Sequence, residues 1–249
     1  MKLDQELSKF KRKRIKILEP DLSDIDVSRI TDMSYLFSSA TSSYSKYKSA
    51  RFKFDLSQWD VSHVTDMHAM FLHIGYLISL NVSGWNTVNV TNMNEMFAYT
   101  GIKELDLSGW DTSNVNDMSL MFTNCNKLKK LDLSNFNTSN VTCMHGMFYG
   151  CISLKTIDLS GWDTSNVDDM GNMFMCCESL KKLDLSNFSS QSLREMQGMF
   201  YGCIDLTSLD ISSFHMTKPL IANANSVDYF GKSTFTFCKP EIIPDWYEQ

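Results

Sequence analysis

LDLSNFNTSNVTCMHGMF, residues 131–148, returns almost letter for letter as LDLSGWDTSNVNDMSLMF at 105–122 and IDLSGWDTSNVDDMGNMF at 157–174. Related copies occupy 54–71, 80–97 and 183–200, and a truncated one lies at 209–216. One aromatic residue marks each: Trp59, Trp85, Trp110, Phe136, Trp162, Phe188 and Phe214, spaced 26 residues apart except for 25 between Trp85 and Trp110. A period of this size marks a repeat array, in which each unit buries its apolar side only against its neighbours. A weaker first copy occupies 22–37, with Ile25 in the aromatic slot. From Met33 to Met67 the step is 34, so SSATSSYSKYKSARFKF reads as a loop inserted near 38–54.

Within one unit, LKKLDLSNF at 128–136 has the alternation of a strand. Leu131 and Leu133 are expected to point inward and Asp132 and Ser134 outward, because successive strand side chains take opposite faces. The DTSNV or NTSNV that follows supplies short polar side chains suited to a turn or a helix start. Val115, Met118, Met121 and Phe122 then recur at the spacing of one face of a short helix or 3₁₀ turn, as do Val141, Met144, Met147 and Phe148. Neighbouring units would have to hold such short helices, which are marginal alone. The expected fold is α/β: a right-handed leucine-rich-repeat solenoid with short parallel strands, turns and short helical segments. Residues 1–21 read as a basic N-terminal extension or cap, 22–216 as about eight coils, and 217–249 as a C-terminal cap.

A formal charge of −6 disfavours a non-specific nucleic-acid binder, although KFKRKR at 9–14 is a local basic run. No run resembles a membrane span, and MKLDQELSKFKRKRIKILEP lacks the apolar stretch of a secretory signal. Paired methionines such as Met118/Met121 and Met144/Met147 fall at equivalent positions, which assigns them to the core rather than to a copper box. Cys125, Cys151, Cys177 and Cys203, each 26 residues apart, read as a ladder of free thiols, with disulfides between adjacent coils as the alternative. The five histidines do not make a ligand set: His63, His68 and His73 cannot share one helical face. No serine nucleophile elbow and no phosphate-binding glycine loop occurs, so the chain reads as no enzyme, with no cofactor and no metal.

The spelling LDLSxWDTSNVxxMxxMF over about 22–216 resembles the BspA-type leucine-rich repeat proteins, in the methionine-rich branch of domain of unknown function 285 that is common in surface proteins of mycoplasmas and other microbes. That resemblance implies a curved scaffold, adhesion or protein recognition, and a host or cell-surface protein as partner. It also implies a surface or secreted location, against which the missing signal segment sets a cytoplasmic one.

The expected contact surface is the outward strand face. Its polar stripe includes Asp106, Asp132, Asp158 and Asp184, with Lys130 and Lys182 placed to neutralise part of it. A solvated charge ladder and a recognition surface both fit this pattern; calcium, for which stacked carboxylates are hard oxygen ligands, ranks behind both because no calcium-loop spacing occurs and charge pairing accounts for the stripe without a cation. The expected function is a non-enzymatic protein-recognition or adhesion module. A structural spacer or scaffold is the alternative, and a hydrolase ranks behind both.

Overall fold

A computed structural model describes residues 17–38 and 51–214. The 26-residue units stack as parallel layers, but strands are few. They are β1 (Ile17–Leu18), β2 (Arg51–Asp55), β3 (Leu77–Asn81), β4 (Lys182–Asp184) and β5 (Ser208–Asp210). The first three form one parallel sheet in the order β1-β2-β3, with Phe54 opposite Leu80, and β4 and β5 form a second with Leu183 opposite Leu209. One parallel bridge recurs from layer to layer along the stack: Asp32, Asp66, Asn92, Asp117, Cys143, Asp169 and Glu195 each bridge to the next.

The expectation of an α/β leucine-rich-repeat solenoid with short helical segments is corrected here, and with it the BspA-type leucine-rich resemblance. No helix occurs among the described residues. In the segment read as helical, alternate amides serve two different purposes. The N–H groups of Met121, Thr123, Cys125 and Leu128 close successive turns onto the carbonyls of Met118, Leu120, Phe122 and Cys125 at 2.9–3.3 Å. Those of Met118, Leu120, Phe122 and Asn124 instead donate to the next layer, to Cys143, His145, Met147 and Tyr149. A helix needs every amide directed four residues back along its own chain, and this arrangement gives half of them away. Leu120 (φ 57°) and Asn124 (φ 54°) also lie in the left-handed region, which a right-handed helix excludes. The three- and four-residue apolar spacing thus comes from consecutive turns.

These turns aim one side chain after another into a single core. Phe71, Phe97, Phe122, Phe148 and Phe174 stack in register, with centroids 5.5–5.8 Å apart. The paired methionines Met118/Met121 and Met144/Met147 are buried beside them. Leu131 and Leu133 are buried while Asp132 and Ser134 are exposed, although this stretch pairs with no neighbouring strand.

Buried polar groups are satisfied between layers. The Thr112 hydroxyl donates to the carbonyl of Asn137 (3.0 Å) and accepts that residue's own N–H (2.8 Å). At the exposed edge the side-chain amides of Asn114, Asn140 and Asn166 likewise each donate to a backbone carbonyl of the preceding layer at 2.7 Å. The TSNV spelling therefore encodes contacts between layers as well as a turn.

The aromatic slot has two chemical solutions. The indole N–H groups of Trp59, Trp85 and Trp162 donate to the carbonyls of Leu22, Leu56 and Leu133 one layer earlier, at 3.0, 2.8 and 3.3 Å. Phenylalanine has no such donor. In its layers the preceding residue supplies one: Asn135 to Leu107 O (3.1 Å), Asn187 to Leu159 O (3.1 Å) and Ser213 to Leu185 O (3.0 Å). Trp110, which follows the short 25-residue step, is the exception among the described residues, with a buried indole nitrogen that has no partner.

The basic run at 9–14, residues 39–50 of the expected loop and the expected cap at 217–249 lie outside the described residues. Arg51–Phe54, read as the end of that loop, instead belong to β2, where Phe52 and Phe54 are buried.

Candidate exposed strand face

Each aspartate of the polar stripe opens a D-x-S corner. The Oδ1 atoms of Asp106, Asp132, Asp158 and Asp184 accept the backbone N–H of Ser108, Ser134, Ser160 and Ser186 at 2.9–3.0 Å. Asn81 does the same for Ser83, which explains how it substitutes for aspartate in the series. These bonds, from the serine N–H and then its hydroxyl, hold the carboxyls of Asp106, Asp132 and Asp158 below the usual range. At Asp132 the like charges of Asp158 and Asp106 push weakly the other way. Each carboxylate is thus fixed by its own corner and faces solvent.

Lys130 and Lys182 are exposed as well. The expected neutralisation is not seen as direct contact: among the described residues, the ion pair made by a lysine is Lys53 with Glu19 at 2.8 Å. Asp106, Lys130 and Asp132 come together around an open groove whose other lining residues are Glu104, Thr156, Leu80, Leu105 and Leu131. Asp158, Asp184 and Lys182 lie outside its lining. Glu104 and Thr156 were not singled out from the sequence. Their signal is positional, because they occupy the slot of Lys130 one layer before and one layer after it.

The groove sits where the strand ladder is interrupted. Among the described residues no backbone hydrogen bond joins Glu104–Asp106 to Lys130–Asp132, or those to Thr156–Asp158, while Lys129 N–H still reaches Lys103 O at 3.0 Å. The interruption begins after the short layer. There Gly101 lies so close to Gly75 that an added Cβ would stand 2.2 Å from the Gly75 carbonyl oxygen.

The remaining chemistry-bearing side chains do not converge. His68 bonds the Tyr35 hydroxyl (2.7 Å) and Asn94 O (3.1 Å), His73 stacks on Tyr99, and His63 lies by Ser62. His145 pairs with Asp169 at 3.3 Å, and that hydrogen bond raises its pKa against the opposing effect of burial. Among the described residues no group of three or more His, Cys, Asp or Glu could hold a metal ion. The thiols of Cys125, Cys151, Cys177 and Cys203 are buried and form no disulfide among the described residues, each donating to a phenylalanine carbonyl one layer back at 3.0–3.2 Å. Burial pushes the Cys125 thiol up to about 11. No helix of the described residues is long and apolar enough to cross a membrane.

Fold and face together define an all-β, turn-built repeat protein. The family model described as "Mycoplasma protein of unknown function, DUF285" matches residues 41–131 and 122–233, well over half of the chain. The chain belongs to that family. Neither the curated proteins nor the solved structures contain a match to it.

Proposed function

We propose that the chain is a non-enzymatic recognition or adhesion module that binds a protein partner through its exposed strand face. The observation that carries this reading is the open groove in which Asp106, Asp132 and Lys130 stand over Leu80, Leu105 and Leu131. Charged groups at a rim around an apolar floor suit protein contact, where the floor excludes water and the charges set orientation. The Asx corners fix the carboxylates in advance, so little side-chain freedom is lost on binding.

The test is capture from the native organism at physiological salt, comparing the unaltered chain with Asp132→Lys/Asp158→Lys and reading both by quantitative mass spectrometry. A partner that the unaltered chain recovers, and that the double variant of equal melting temperature recovers at least tenfold less, supports the reading. Identical recoveries would move the contact away from this face and favour a spacer or scaffold.

A further inference from the structure

The positive charge of the central layers is gathered at one corner of the stack. Between residues 54 and 193 every lysine and arginine, seven in all, falls in the short segments that lead into the strand face: Lys103, Lys127, Lys129, Lys130, Lys155, Lys181 and Lys182. All are exposed. Lys130 and Lys182 stand two residues before Asp132 and Asp184, on the same side of the extended chain. Lys103, Lys129, Lys155 and Lys181 stand three residues before the aspartates, and that odd offset turns them away from the carboxylates.

The corner segments are tied to one another layer by layer. The Lys129 N–H donates to Lys103 O (3.0 Å), the Ser153 hydroxyl to Asn126 O (2.7 Å) and the Lys181 N–H to Lys155 O (3.4 Å). Lys103, Lys129, Lys155 and Lys181 therefore form a ridge with a step of about 5 Å, the spacing of neighbouring strands, and a length of about 15 Å. Lys127 adds a charge in the same segments and Glu178 removes one. Among the described residues no ion pair involves any of these five lysines.

A narrow, linear row of cations fits an extended polyanion. Single-stranded nucleic acid is held by aromatic platforms beside the cations, and the segments 102–104, 126–130, 152–156 and 178–182 contain no aromatic residue. A nucleic-acid duplex carries one charge per about 1.7 Å of its axis, far denser than the ridge. A glycan with one carboxylate per sugar spaces its charges by a whole ring and presents hydroxyls between them. Asn126, Ser153 and Ser179, interleaved with the lysines, are neutral side chains that can bond those hydroxyls. We propose that the lysine ridge binds a linear anionic glycan, a polyuronate chain lying along the stack, at a site separate from the strand face. The aspartates repel the same polymer and so confine it to the ridge, and salt screens both effects.

Fluorescence anisotropy of an end-labelled oligogalacturonate, titrated with the full chain, tests it. Binding is expected at about 0.05 M ionic strength, should weaken steeply by about 0.3 M, and should vanish for the same oligomer with its carboxylates methyl-esterified. Lys129→Gln/Lys155→Gln should weaken it about tenfold, whereas Lys130→Gln/Lys182→Gln, the same change of charge on the aspartate side, should alter it less than about twofold. All four side chains are exposed, so folding is unchanged, which equal melting temperatures check. No binding at low salt overturns the proposal, as does equal loss from the two pairs. Binding that neither pair weakens also overturns it, and moves the contact elsewhere, such as to the basic run at 9–14. Tighter binding of an oligothymidylate of equal charge overturns the glycan assignment and makes the ridge a nucleic-acid contact.

Discussion

Exchanging the two solutions of the aromatic slot tests how the layers are joined. In Trp162→Phe the carbonyl of Leu133 loses the indole donor at 3.3 Å but keeps the N–H of Phe136 at 3.0 Å. Because the carbonyl is not orphaned, the lost bond should cost about 1 kcal/mol. The smaller ring leaves unfilled space in a buried slot, adding roughly 1–2 kcal/mol. Gly161→Asn places a new Cβ 3.7 Å from the Ser134 carbonyl, an ordinary contact, and its amide can donate to Leu133 O as Asn135 and Asn187 do one layer before and after. In a chain that retains Trp162, the carbonyl is already served and the asparagine gains little. In the Trp162→Phe background it should recover about 1 kcal/mol, a coupling to be measured by a double-mutant cycle in urea followed by far-UV circular dichroism. Trp110→Phe supplies the control, since its indole has no acceptor to lose and its cost should fall below that of Trp162→Phe by about the same 1 kcal/mol. If Gly161→Asn has the same effect in both backgrounds to within about 0.3 kcal/mol, the exchange rule is refuted.

Other expectations follow from single positions. Gly150 sits at φ +69° with a virtual Cβ 2.4 Å from Asn124 Oδ1, so Gly150→Ala should destabilise by roughly 1–3 kcal/mol in urea titrations. Adding Asn124→Gly should return part of that loss, and no return would show that backbone strain accounts for all of it. His145 has its folded pKa raised above the ordinary value of 6.5, so the Asp169 pair contributes stability that is fully present below that value and is lost as pH rises through the folded pKa. Solvent access keeps this below about 1 kcal/mol, and His145→Gln should flatten the stability profile from about pH 6 upward, as read from urea midpoints across pH. The buried thiols of Cys151 and Cys177, with pKa raised by burial, should resist an aromatic disulfide reagent at about pH 8 in the native chain and react fully in denaturant. Rapid native labelling at those two positions would contradict their burial.

The layer period, the aromatic slot and the inward leucines were legible because burial imposes a common choice on every copy. Leu131 and Leu133 alternate with Asp132 and Ser134 as any half-buried extended chain must. The local backbone was misread for an equally physical reason. Met118, Met121 and Phe122 satisfy the spacing of a helix and that of overlapping turns alike, and apolar spacing does not report where an amide points. The left-handed residues carried the missing information: Gly146, Gly150, Gly198 and Gly202 mark those positions in two layers, but Leu120, Asn124, Asn172 and Cys176 disguise them in the two layers that alternate with these. At the exposed face, Asp132 could be placed from sequence, whereas its fixed Asx geometry and the groove beside it depend on how one layer meets the next. The pairing of Asn with Phe, and of Trp with Gly in the layers of Trp85, Trp110 and Trp162, was visible in the letters, but its reason lies in a carbonyl of the preceding layer.

Four amides per layer, such as Met118, Leu120, Phe122 and Asn124, point toward the C-terminal end, and Asn116 points back to Thr91. Forward-pointing peptide dipoles of about 3.5 D therefore outnumber those pointing back, which include Asn116 and Lys129, and leave a net moment along the stack. The molecule consequently has an electrical sense of direction. The two ends of the stack are therefore electrically unlike, one presenting amide donors and the other carbonyl acceptors.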